Sequence, residues 1–150
     1  MTGASRGLGY ALATTLAGLG WSLVIDARHE DSLEQAREDF SLLADPLATI
    51  TAIPGDVADP AHRAAIAAVV GDRPLELLVN NASILGPSPQ PPLDGYPLDV
   101  LRMVFEVNVI APLALIQELT PALRLAQTPR VVNITSDASV EPYEGWGGYG

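Results

Sequence analysis

Cysteine is absent from the 150 residues, which removes disulfides, thiolate metal sites and a cysteine nucleophile together. Positive charge is scarce: eight Lys and Arg stand against eighteen Asp and Glu, a net charge of −10, with no basic run. That balance argues against nucleic acid or an anionic membrane surface as partner. A small anionic ligand stays open, because a few arginines and a helix N-terminus hold one in an acidic protein. No apolar run approaches the ~18 residues of a bilayer span, and no signal pattern opens the chain; the expectation is a soluble, cytoplasmic protein. Histidine is limited to His29 and His62. Each lies in a polar stretch beside charged residues, and both are expected at the surface rather than as ligands.

What remains is a globular composition, 48% apolar with both charge signs, at a length that fits one domain with a buried core. Strand and helix patterns alternate, the order expected of α/β layers around a parallel sheet. After a glycine-rich start, Leu8, Leu12, Leu16 and Leu19 fall on one helical stripe, with Gly20 as a stop. Residues 21–27, WSLVIDA, read as a buried strand that Trp21 opens as a packing residue. Asp31 and Glu34 suggest a capping box for a helix with Leu33, Ala36, Phe40 and Leu43 on its apolar face. Residues 47–53 form the next strand pattern. Asp59 and Pro60 open a third helix that buries Ile66, Val69 and Val70, and 75–80 read as a strand.

Five prolines between 86 and 97 mark a surface loop. A long helical stretch from about Leu98 to Leu125 is interrupted by Pro112 and Pro121, which predicts a kink or a break. Residues 130–135 read as the last strand. The order is that of a doubly wound parallel sheet.

The stretch TGASRGLG spaces glycines at 3, 7 and 9 ahead of the first helix. Glycine permits positive φ and brings backbone N–H groups near a phosphate at the positive end of a helix. An ordinary glycine-rich turn is the alternative. The spacing differs from the usual G-x-G-x-x-G fingerprint and resembles T-G-x-x-x-G-x-G, the loop of the main branch of the short-chain dehydrogenase/reductase family. Further matches follow in order: Asp56-Val57 after the third strand pattern, NNAS (80–83) after the fourth, Asn108 in FEVNVIAP, and Ser136 and Tyr149 thirteen residues apart. NNASILG and the stretch from 131 to 149 also look somewhat like the family's sepiapterin and dicarbonyl reductases.

The resemblance implies an NAD(P)-dependent oxidoreductase that interconverts a small carbonyl compound and an alcohol. It implies cofactor contacts at Thr2, Gly3, Ser5, Arg6, Gly7, Leu8 and Gly9, at Asp56 and Val57 near the adenine, and at Asn80 and Ala82. It gives Tyr149 the acid/base role, Ser136 the carbonyl and Asn108 a water of the proton relay; a buried asparagine bonded to nearby backbone is the alternative for Asn108. A free phenol has a pKa near 10, so a cation must lower it. The family supplies a lysine four residues after the tyrosine, a position beyond Gly150.

Cofactor choice rests on the end of the second strand pattern. NAD-preferring relatives carry an acid where this chain has Ala27, while Arg28 and Arg6 match basic positions of NADP-preferring ones and suit a 2′-phosphate. Asp26, one residue early, keeps NAD open through a local shift; NADP is preferred. Trp146 and Tyr143 either face a flat substrate or plug their loop onto the core.

The family also has a strand ahead of the glycine loop and further strands behind, outside residues 1–150. The expected fold is therefore an incomplete Rossmann-like doubly wound sheet, a single partial NAD(P)-binding domain. Its expected fate by itself is poor activity, and a non-catalytic nucleotide-binding fragment is the alternative function. The family's usual homo-oligomer would pack Val104, Phe105, Val109, Leu113 and Ile116 on a partner; simple sheet covering is the other reading.

Overall fold

The computed structural model describes every residue except Pro142, Gly145, Gly147 and Gly150. The glycine loop leads into helix α1 (Gly7–Gly18), followed by β1 (Leu23–Ala27), α2 (Glu30–Leu43), β2 (Ile50–Pro54), α3 (Pro60–Val70) and β3 (Leu77–Asn80). Then come α4 (Leu98–Phe105), a π turn (Glu106–Ile110), α5 (Ala111–Leu123) and β4 (Arg130–Asn133). All four strands are shorter than the apolar runs that announce them, because pairing stops where the chain leaves the sheet.

Strands β1 and β2 pair in parallel with Leu23 opposite Ile50, and β3 and β4 pair in parallel with Leu77 opposite Arg130. Among the described residues no ladder joins the two pairs, which form separate two-stranded sheets. Residues 1–4 bridge them instead. Thr2 donates its N–H to the Val79 carbonyl on one side, while on the other Asp26 donates to Met1 and Ala4 donates to Asp26. A cavity of about 640 Å³ lies between the pairs, lined by Trp21, Val24, Ile66, Leu78 and Leu115 among others.

Alternation along β1 explains the two-layer packing. Leu23, Ile25 and Ala27 enter a core with Leu33, Ala36 and Phe40 of α2 and Ala13 and Ala17 of α1. Val24 packs on the opposite face, against a cluster of Ile66, Val70, Leu78, Leu115 and Leu119 from α3, β3 and α5. Ile25, Leu33, Phe40 and Leu115 are fully buried, each contributing roughly 1.5–3 kcal/mol of transfer free energy.

Several local expectations are corrected. The buried face of α1 is Gly9, Ala13 and Ala17, not the leucine stripe; Leu8 and Leu19 are exposed. Small residues at i, i+4, i+8 let the helix approach the sheet closely, and the leucines are left to its flanks. Likewise Leu43 and Val69 stand exposed beside the buried residues of their helices, and Trp21 is only partly covered, on the rim of that cavity. Helix α2 begins one residue before the expected box, with His29 as an N-cap that makes no side-chain bond. Glu34 turns instead to Arg37, which donates three bonds of 2.6 to 2.9 Å to its carboxylate.

Asp59 does cap α3, accepting from the Ala61 N–H at 2.8 Å, with Pro60 in the first turn. The expected proline interruption at 112 takes the form of the π turn just before it. Pro112 has no N–H for the Asn108 carbonyl four residues back, and a wider turn does not require one. Pro121 is carried inside α5 without a break.

Candidate functional site

The glycine loop is held by bonds that span the whole sequence. The Thr2 hydroxyl accepts from the N–H groups of both Asn81 and Ala82, each at 3.0 Å. The Asn81 side chain returns the contact, donating to the carbonyls of Thr2 and Gly3 at 3.0 and 3.1 Å. Gly3 has φ +67° and donates its N–H to Asp26 Oδ1 at 2.8 Å. Gly9 has no room for a side chain: a Cβ there would collide with the Gly3 carbonyl and meet Asn81 Nδ2. The loop is thereby fixed at backbone separation.

Helix α1 starts with Arg6 as an extended N-cap that makes no side-chain bond, and its first turn carries no acid. Its positive end is thus uncompensated. It opens on a cleft of about 630 Å³ whose walls include Gly3, Ser5, Arg6 and Gly7 from the loop, Ala27 and Arg28 from the end of β1, and Asp56, Val57 and Ala82. Arg6, Gly7, Leu8 and Arg28 are exposed. The volume and the chemistry, backbone N–H groups with two arginines among the lining residues, fit an extended phosphate-bearing ligand.

Farther along, Asp56 Oδ1 accepts from the Ala58 N–H at 2.9 Å in the turn ahead of α3. Val57 is buried against Val107 and Ala111. Asn80 is also buried, and its amide donates to Asn133 across the β3–β4 pair at 2.8 Å. The side chain that touches the glycine loop is the next one, Asn81. Nothing in its sequence position separated it from Asn80.

Two readings of β1 and α3 change. His62 is buried at 7% exposure, not a surface group, and its Nε2 lies 3.0 Å from Asp26 Oδ2. Asp26 is 2% exposed, with both carboxylate oxygens engaged. The local shift that would carry it to a ribose is therefore not seen. Strand alternation predicts that Asp26 and Ala27 diverge; the histidine partner, 36 residues away, left no local signal.

The catalytic candidates lie on a different kind of scaffold. Ser136 caps a 3₁₀ turn, Asp137–Ser139: its hydroxyl donates to Asp137 Oδ1 at 3.0 Å and accepts from the Ala138 N–H at 3.2 Å. Asp137 also accepts from the Tyr143 hydroxyl at 2.8 Å. The Tyr143 and Ser136 hydroxyls hold its carboxyl below the usual range, and the same bond raises the Tyr143 phenol.

Trp146 stands edge-on between Tyr143 and Tyr149, with ring centroids 5.8 and 6.0 Å away. Among the described residues no hydrogen bond joins Ser136 to Tyr149. Pro142, Gly145 and Gly147 of this approach lie outside the described residues.

Asn108 sits in the π turn and spends both ends of its amide on one residue. Its Oδ1 accepts from the Ile84 N–H and its Nδ2 donates to the Ile84 carbonyl, both at 2.9 Å. This is the backbone-clamp alternative, and it ties the π turn to the segment after β3. Arg63 was also not singled out from the sequence. It is buried in α3, donates to the Val57 carbonyl at 2.6 Å, and reaches Glu106 and Glu118 at 3.8 and 3.6 Å.

Residues 1–150 match the family model described as short chain dehydrogenase. Among curated proteins the chain is 30% identical to the NADPH-dependent reductase BacG of Bacillus subtilis over 142 residues, covering 93% of this chain and 53% of that protein. It is 32% identical to sepiapterin reductase of Mus musculus over 162 residues, covering 99% of this chain and 61% of that protein. The structure superposes on L-sorbose reductase from Gluconobacter frateurii, solved with NADPH and L-sorbose, with a TM-score of 0.90 and 25% identity. That superposition covers 99% of this chain and 56% of the other. The chain spans only about half to three fifths of the length of these relatives. It belongs to the short-chain dehydrogenase family, and the incomplete Rossmann-like sheet read from the sequence is the fold it has.

Proposed function

We propose that the protein of which this chain is the nucleotide-binding part reduces a small carbonyl compound to an alcohol, reversibly, with NADP preferred over NAD. The observation that carries this reading is the cleft itself: an uncapped α1 N-terminus, a loop fixed by Thr2 and Asn81, and Arg6 and Arg28 among its lining residues. When bound, the dinucleotide supplies or accepts the hydride. The residues that would hold it are Thr2, Gly3, Ser5, Arg6, Gly7, Leu8, Gly9 and Arg28 at the phosphates and ribose. Asp56 and Val57 would hold its adenine, and Ala82 lines the same cleft; Asn80, buried and bonded to Asn133, would act from behind that wall.

Ser136 donates its hydroxyl to the substrate carbonyl, which it can do after releasing Asp137. Tyr149 gives a proton to the same oxygen in reduction and takes one in oxidation. The phenol needs a cation nearby for that work at neutral pH, and lysine is absent from these 150 residues. Asn108 acts by clamping Ile84, which positions the wall shared by cofactor and substrate. The exposed Phe105, Val109 and Leu113 favour a second copy of the protein as covering for α4 and α5.

Oxidation of NADPH in the presence of a panel of dicarbonyl and hydroxyketone compounds tests the reading. Substrate-dependent loss of 340 nm absorbance is expected, and its absence in the intact protein with all panel members would overturn it.

A further inference from the structure

The acid of the cleft floor is disarmed by a residue from another layer of the fold. Alternation on β1 sends Asp26 to the α3 side of the sheet, where Oδ2 meets His62 Nε2 at 3.0 Å and Oδ1 meets the Gly3 N–H at 2.8 Å. The pair is buried on both sides. The ring of His62 lies against Gly55 so closely that a Cβ at that position would come within 2.6 Å of its Cγ. The sequence thus supplies a glycine for the imidazole, a capped helix start to aim it and a carboxylate to receive it. Asp26 lines the same cleft as Arg6, Arg28 and Gly3.

We propose that His62 is a positioning residue that sets cofactor choice: it holds Asp26 out of the ribose end of the cleft, so that Arg6 and Arg28 alone meet the cofactor there. This rests on the NADP reading above and deepens it. A carboxylate held at both oxygens, 2% exposed and turned toward α3, does not present its free lone pairs to a ribose 2′-hydroxyl. Freed of His62, Oδ2 becomes a buried acceptor without a donor, a costly state. It is relieved by turning toward the hydroxyl that NADH presents, whereas the 2′-phosphate of NADPH repels it. Loss of His62 therefore acts with opposite sign on the two cofactors, which a role in packing alone does not.

The experiment is a titration of the intact protein with NADPH and with NADH, followed by nucleotide fluorescence, for wild type, His62→Ala, His62→Gln, Asp26→Asn and His62→Ala/Asp26→Asn. The readout is the ratio of the two dissociation constants. His62→Ala is expected to shift that ratio toward NADH by about tenfold, the scale of one hydrogen bond to a charged group. His62→Gln, which keeps an N–H donor at a similar reach, is expected to preserve the ratio. Asp26→Asn and the double variant are expected to keep the NADPH preference, because no carboxylate is left to turn.

Equal weakening of both cofactors in His62→Ala, with an unchanged ratio, would overturn the proposal. If His62→Ala does not fold, a fall in the NADPH preference of Asp26→Asn would overturn it equally. A wild-type protein without NADPH preference would instead overturn the reading beneath it, and the wild-type titration shows that separately.

Discussion

The glycine-loop side of the cleft and the segment that carries Ser136 and Tyr149 are built in different ways. The loop is tied by bonds between residues far apart in sequence: Thr2 to Asn81 and Ala82, Gly3 to Asp26, Asp26 to His62. In the segment proposed as catalytic, the side-chain hydrogen bonds among the described residues are local, through Ser136 and Asp137, Thr135 and Ser139, and Tyr143 and Asp137. The proposed nucleotide-binding geometry is therefore a property of the packed sheet and helices, whereas the residues proposed for proton transfer are held, among the described residues, by a turn and edge-on aromatic contacts. Disturbing the first should cost folding and binding together; disturbing the second should cost chemistry alone.

The largest effect that sharpens the contrast is Tyr149→Phe. It is expected to lower turnover of the intact protein by about 10²–10⁴-fold, the usual worth of a positioned acid or base, with NADPH affinity within about twofold of wild type. Steady-state kinetics beside a binding titration checks both halves. Gly9→Ala attacks the other region. Its methyl meets the Gly3 carbonyl and the Asn81 amide, so a stability loss of about 1–3 kcal/mol is expected from overpacking. Chemical denaturation would read that loss, with NADPH binding lost alongside.

Asn81→Ala removes the donor to two loop carbonyls and should cost about 1–2 kcal/mol, again with weakened binding; an unchanged unfolding midpoint would break the comparison. Smallest of all, Leu113→Ser on the exposed face of α5 should change monomer stability by no more than about 0.5 kcal/mol. Its mass by light scattering should nonetheless fall if that face meets a second copy.

How legible each region was follows from the same difference. The spacing of Gly3, Gly7 and Gly9, Asp59 before Pro60, and Ser136 before Tyr149 are short-range facts, and a linear chain displays them. The packing face of α1 was misread because leucines at 8, 12, 16 and 19 and small residues at 9, 13 and 17 share one helical period. Hydrophobicity favours the leucines, but closeness to the sheet demands the small residues. The polar neighbours of His62 suggest a solvated side chain, but its partner Asp26 arrives from β1, 36 residues away. Asn81 was hidden beside Asn80 for the opposite reason: adjacent strand-end residues point different ways, and only the fold says which one meets Thr2.

The central claim, that the cleft reads a 2′-phosphorylated dinucleotide through its two arginines, is tested most directly by calorimetric titration of an Arg6→Ala/Arg28→Ala variant of the intact protein. NADPH affinity is expected to fall by about 10–100-fold, the loss of charge-assisted bonds to a phosphate, while NADH affinity stays within about twofold. Equal loss for both cofactors, or no loss for either, would contradict it.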